Sequence, residues 1–208
     1  MCFSATASFA TAALTGVFGV ASLARATSPR ELPLAAMPLI FAVQQSLEGL
    51  LWLALPSAPA GSAASSLTLL YLVIAQVVWP IFAPTASLLV EQHPMRRRLM
   101  RLCLIVGSGV SVYLLWRTLT SPHGAAVVDG HIVYVADYKS TALVLAYTVA
   151  TALPLMLSTH RMVAVMGVFI FVGSFVAYFS YEAAFPSVWC FFAAGASFLI
   201  FLHFEGAR

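Results

Sequence analysis

Residues 32–55 read LPLAAMPLIFAVQQSLEGLLWLAL, an apolar run broken by one carboxylate, Glu48, and two amides, Gln44 and Gln45. A transmembrane helix needs about 20 predominantly apolar residues, so this run predicts a span. Its polar residues are ordered. Gln44, Glu48 and Trp52 recur at i, i+4 and i+8, with Gln45 beside them, which draws a polar stripe along one helix face. An ionisable side chain in hydrocarbon costs about 2.5–3.5 kcal/mol on insertion scales, so Glu48 needs a reason to be there. One reason is a ligand, ion or proton site. The plainer one is hydrogen bonding to a neighbouring helix that serves packing alone.

Working outward, six further apolar runs, 5–24, 67–90, 99–119, 141–157, 162–181 and 188–204, bring the count to seven. The run 141–157 is the shortest and carries Pro154, but Lys139 on one flank and His160-Arg161 on the other mark two water interfaces. The first run precedes a small-x-small sequence, Ala24-Arg25-Ala26, that looks like a signal-peptide cleavage site. No Lys or Arg comes before it, however, and it is longer than a typical cleaved apolar region, so it is read as a retained helix. Hydrophobic residues make up 62% of the chain and charged ones 8%, against roughly 25% charged in soluble domains. The expectation is an all-α integral membrane bundle of seven transmembrane helices, a single domain over residues 1–208, with the lipid bilayer as its surroundings. Ten Lys and Arg against seven acids, a net charge of +3, leave no footprint for nucleic acid.

The distribution of these charges sets an orientation. Arg25, Arg30, Arg96, Arg97, Arg98, Arg101, Arg161 and Arg208 fall on one side of the seven spans; Arg117 and Lys139 fall on the other. Cytoplasmic retention of positive charge places the N-terminus outside and the C-terminus in the cytoplasm of an inner or plasma membrane. The longest connection, 118–138, is then external, and His131-Ile132-Val133-Tyr134 within it alternates as a strand does, predicting a short hairpin over the bundle mouth. Pro38, Pro80, Pro84 and Pro154 lie inside predicted helices, where each frees a carbonyl and kinks the helix, and a kinked third span can open a cavity. No internal repeat occurs, which argues against transporter folds built from duplicated halves.

On the outer side two more stripes join Glu48. Ser174, Tyr178 and Glu182 share a face at the end of the sixth span; Ser187, Cys190, Ala194 and Ser197 share one at the start of the seventh. The expected binding set for a small ligand or ion is Gln44, Gln45, Glu48, Tyr178, Glu182 and Cys190. Thiolate, imidazole and carboxylate are transition-metal ligands, so Cys2, Glu48, His131 and Cys190 form a candidate metal set, although their spacing matches no known motif. Cys2 has other readings: after loss of Met1 its amine and thiol form a chelating or nucleophilic pair, or it bonds to Cys190 as a disulfide. For all three cysteines a buried free thiol is the simplest reading.

A second group, Glu91, His93, His160, His203 and Glu205, gathers at the cytoplasmic ends of the helices. Three histidines suit a catalytic zinc, and membrane hydrolases of the ceramidase and progestin-receptor-like type resemble this chain in span number. Those enzymes carry histidines at helix spacing within their spans, and no HxxxH occurs here. A retinal protein is excluded because the only lysine, Lys139, sits at the edge of a span; a voltage sensor is excluded because the arginines cluster in loops.

The opening Met1-Cys2-Phe3-Ser4-Ala5-Thr6-Ala7-Ser8-Phe9 resembles the start of an uncharacterised family of bacterial multi-spanning membrane proteins. The resemblance continues through Arg30-Glu31-Leu32-Pro33, Gln44-Gln45 with Glu48-Gly49, Trp79-Pro80, His131-Ile132-Val133-Tyr134, and Ser187-Val188-Trp189-Cys190-Phe191-Phe192-Ala193-Ala194. It implies a small multi-spanning membrane protein and supplies no catalytic residues. The leading expectation is therefore binding or sensing of a small ligand or ion in an outer-facing cavity. A membrane-embedded, metal-dependent hydrolase is the alternative, and a structural membrane subunit the third.

Overall fold

Ser4 opens the first helix by accepting a hydrogen bond from the Ala7 N–H at 3.2 Å, a standard N-cap. The computed structural model describes residues 4–57, 63–135, 140–180 and 185–206. In chain order the helices are α1 (Ala5–Leu23), α2 (Leu32–Ala54), α3 (Ala63–Leu72), α4 (Trp79–Val90), α5 (Pro94–Thr120), α6 (Thr141–Met156), α7 (Arg161–Ser180), α8 (Phe185–Ala196) and α9 (Phe198–Glu205). A π-helical stretch, Val73–Val78, joins α3 to α4, and α8 runs on into α9. Six continuous rods among the described residues are long and apolar enough to cross a membrane; Thr141–Met156 is apolar but shorter. The architecture is an all-α bundle, as the hydrophobic runs predict.

What faces outward fits a hydrocarbon solvent. Val17, Ile105, Val112, Phe169 and Phe179 are all exposed on helix flanks, a surface that water would not tolerate at this density. Helix hydroxyls are spent on their own backbones, as lipid requires: Thr11, Ser22, Thr68, Ser87 and Ser108 each donate to the carbonyl four residues earlier. Small residues let helices approach closely. A Cβ on Gly19 would lie 2.8 Å from the Leu39 backbone nitrogen, so α1 and α2 pack nearly backbone to backbone.

The seven arginines from Arg25 to Arg161, Arg117 apart, lie at one end of the bundle, here the arginine end. At the other end β1 (Gly124–Val128) pairs antiparallel with β2 (His131–Val135), forming the hairpin that the alternation predicts. Asp129 and Gly130 both have positive φ, 48° and 74°, as a two-residue hairpin turn demands. Ile132 and Tyr134 face the bundle and are buried, and the Tyr134 ring stacks on Tyr71 at 4.5 Å. The hairpin thus caps that end.

The third rod departs from a regular α-helix for an identifiable reason. Pro80 has no N–H, and in the i→i+5 register of the π stretch the carbonyl it leaves unserved is that of Ala75. The Tyr147 hydroxyl from α6 donates to that carbonyl instead, and Ser111 from α5 donates to Val77 O at 2.7 Å. Pro84 similarly strips the Pro80 carbonyl of its donor. Gly107 of α5 fits against it, since a Cβ there would come within 1.9 Å of Pro80 O.

Candidate functional site

The polar stripe of α2 turns inward, toward the α3–α4 rod and α8. Gln44, Gln45 and Glu48 are all fully buried. Phe41, one turn below Gln44, stacks on Trp79 with ring centroids 4.0 Å apart, which aims the indole N–H at Gln44 Oε1, 2.8 Å away. One turn above, Gln45 Nε2 donates to Glu48 Oε2 at 3.2 Å, and the Ser187 hydroxyl at the start of α8 donates to Glu48 Oε1. Cys190, one turn further along α8, is a buried free thiol beside Gln44, Tyr71 and Glu48.

The hydrogen bonding is incomplete. Gln44 Nε2 and Gln45 Oε1 have no hydrogen-bond partner among the described residues; the Gln44 side chain lies beside the Cys190 thiol. The Trp52 indole N–H, next along the stripe, is likewise buried and unpartnered. A buried polar atom without a partner costs about 1–3 kcal/mol, so two amides side by side with one each are a feature to explain. Below this layer an almost wholly apolar cavity of ≈ 30 Å³, lined by Phe41, Trp79, Tyr147, Trp189 and Cys190 among others, runs toward the arginine end. Above it lies the hairpin, with Ile132, Tyr134 and Cys190 in one cluster with Leu51 and Tyr71.

Two expected members stand elsewhere. Tyr178 is half-buried at the seam between α6 and α7, its hydroxyl 3.4 Å from Thr141 Oγ1. The Ser174–Tyr178 stripe exists, but it faces a groove shared with α6, while α8 is the element that reaches Glu48. His131 begins β2 and shares a 2.8 Å hydrogen bond with Asp129 O. Strand alternation puts it on the hairpin face opposite Ile132 and Tyr134. Cys2 and Glu182 lie outside the described residues. Among the described residues no three His, Cys, Asp or Glu side chains gather as metal ligands, and of the metal set only Glu48 and Cys190 are neighbours.

Sequence reasoning missed Tyr71 and Tyr147. Both are hydroxyl-bearing aromatics in the middle of apolar runs, the same kind of signal that singled out Glu48.

At the arginine end, Glu91 follows α4 and is buried. Its oxygens accept from the backbone N–H groups of Gln92, His93 and Thr159 and from the Thr159 hydroxyl. Burial pushes its pKa up, but the hydrogen bonds from His93, Thr159 and Gln92 outweigh burial and hold the carboxyl below its usual 4.5. His160 and His203 meet edge to face at 4.7 Å, and Arg25 pairs with Glu205 at 2.7 Å. The expected cytoplasmic group therefore divides: Glu91 locks a turn, Glu205 holds Arg25, the His160 and His203 rings meet, and His93 shares a separate surface pocket with His160.

The fold and its buried polar layer define a helical membrane-protein bundle with a capped end. The chain belongs to the family of unknown function DUF6629, which matches residues 1–208. No curated protein and no solved structure matches it significantly.

Proposed function

We propose that this protein binds a small polar ligand or an ion beneath the hairpin, with Glu48 as anchor. The observation that carries this reading is the pair of unspent polar atoms, Gln44 Nε2 and Gln45 Oε1, in two fully buried amides flanking a fully buried carboxylate. One amide offers a donor and the other an acceptor, while Glu48 supplies charge, a recognition set suited to a small molecule or ion with both kinds of group. The hairpin and the apolar cavity exclude water, which strengthens each contact. The site lies in the outward half of a seven-span bundle in the inner or plasma membrane, with the N-terminus external.

The test is a thermal-shift screen of detergent-purified protein against alkali, ammonium and divalent cations and small amines, amides and acids, with elemental analysis of the same preparation. Glu48→Gln keeps shape and most hydrogen bonds, so it should fold and lose the shift. Glu48→Leu strands the Ser187 hydroxyl and the Gln45 amide, so it should still fold but with a loss of about 1–3 kcal/mol. If Glu48→Gln binds like the wild type and Glu48→Leu unfolds, the carboxylate is structural and the reading fails. The metal-dependent hydrolase ranks below this, since among the described residues only Glu48 and Cys190 of its candidate ligands are neighbours.

A further inference from the structure

At the arginine end a cleft of ≈ 950 Å³ opens between the α1–α2 connection, the α4–α5 turn and the ends of α7 and α9. Its polar walls are Arg30, Glu31, Glu91, Arg97, His160 and His203. Counted as formal charges, the two arginines and two carboxylates cancel, but their hydrogen bonding does not. Glu31 Oε2 is taken by the Thr27 and Ser28 N–H groups and the Thr27 hydroxyl. Glu91 is spent on three backbone N–H groups and a hydroxyl, as described above. Glu91 faces its own turn, while the Glu31 carboxylate also lies within electrostatic reach of the His203 imidazole.

The donors are available. Arg30 is exposed and makes no hydrogen bond or ion pair with any described residue. Arg97 uses one nitrogen, Nη1, on the Leu88 and Glu91 carbonyls at 2.8 and 2.6 Å, which fixes the guanidinium and leaves its other nitrogens unbonded among the described residues. Among the described residues the His203 ring has no hydrogen bond, and the His160 ring has only a long contact, 3.4 Å, to Val90 O. One preset guanidinium, one free guanidinium and two imidazoles around a cleft make a receptor for a tetrahedral oxyanion. Arg96, Arg98 and Arg101 in the first turns of α5 and Arg161 at the start of α7 belong to the same end, adding positive field.

We infer that this cleft binds a phosphate group, carried by an anionic lipid headgroup or present as free phosphate. The site is separate from the Glu48 layer, and neither depends on the other. Placed where the helices leave the apolar layer, it would meet headgroups without chain movement.

The experiment uses the full chain in nonionic detergent. Native mass spectrometry and thermal shift read the retention of added phosphatidylglycerol against phosphatidylcholine, and in a separate arm the effect of inorganic phosphate. Phosphatidylglycerol should be retained in preference to phosphatidylcholine, and Arg30→Ala should weaken it about fivefold, the usual share of one arginine at an anionic surface. Arg98→Ala, exposed at the same end but outside the cleft, should weaken retention much less than Arg30→Ala. Stabilisation by inorganic phosphate with the same dependence on Arg30 would identify the free anion as the occupant; response to the lipid alone would identify the headgroup. Equal loss in Arg98→Ala and Arg30→Ala would reduce the effect to general surface charge and overturn the site, as would no preference in either arm. Arg30 has no partner to lose among the described residues, so Arg30→Ala tests the cleft without disturbing the fold, and circular dichroism checks this.

Discussion

The Ser187 hydroxyl donates to Glu48 Oε1 across 139 positions of sequence, tying the first turn of α8 to the middle of α2. Gln45 of the same helix donates to the other oxygen, Oε2, at 3.2 Å. Ser187→Ala should therefore destabilise the bundle by about 1–3 kcal/mol, the cost of a buried group losing its partner. Ser187→Ala in a Glu48→Leu background should cost much less. Unfolding in mixed micelles measures both, and equal losses in the two backgrounds would show that the pair is not coupled.

Tyr147 supplies the hydrogen bond that Pro80 withholds from Ala75 O. Tyr147→Phe keeps the ring that packs against Trp189 and removes only that donor. It should lower stability by about 1–3 kcal/mol, and Pro80→Ala in the same chain should recover part of the loss by restoring a backbone N–H. No recovery would mean that the π stretch is set by other contacts.

Glu91 gives the arginine end a pH dependence. Its folded pKa is lowered, so its contribution is complete above the unfolded value near 4.5 and disappears as pH falls through the lower folded value. Thermal unfolding followed between neutral and strongly acid pH should show wild type losing stability below about pH 4.5 more steeply than Glu91→Gln. Parallel curves would show that the carboxylate is not responsible.

The Tyr134 ring stacked on Tyr71 closes the hairpin over Cys190. In a Cys2→Ser, Cys103→Ser background, Cys190 should resist a small maleimide, and Tyr134→Ala should make it reactive. Tyr134→Phe keeps the stack and should keep the protection. Rapid labelling of Cys190 beneath an intact hairpin would show that the cap does not seal the site.

For topology, reporter fusions after Arg98 and Arg208 should be cytoplasmic, and one inserted between residues 122 and 129 external. The bias of eight to two in Arg and Lys is the warrant. Cytoplasmic activity from the loop insertion would overturn the seven-span arrangement.

Hydropathy carried most of this architecture. The run 32–55 became α2, Leu32–Ala54, and the period-2 pattern at His131–Tyr134 became β2. Helix α5 starts at Pro94, more than a turn before the apolar run at 99, because arginine stems can lie along the helix while their heads reach water. The inward turn of Gln44, Gln45 and Glu48 was also legible, since polar groups avoid lipid. What periodicity cannot reveal is which neighbour a face meets. Ser174 and Tyr178 share a face as spaced, yet that face meets α6, a matter of helix order around the bundle. Tyr147 escaped notice because its role depends on a carbonyl 72 positions away.

The π stretch before Trp79 has a consequence for how the chain is made. In hydrocarbon each unserved backbone group costs several kcal/mol, and the donor for Ala75 O belongs to α6, which follows in the sequence. When the third rod leaves the ribosome, Tyr147 has not been synthesised. The rod must either wait in a watery or chaperoned environment or enter the bilayer in another winding and change register once Tyr147 arrives. Biogenesis is thus ordered from the C-terminal side at this point, with a later helix acting as an intramolecular assembly factor for an earlier one.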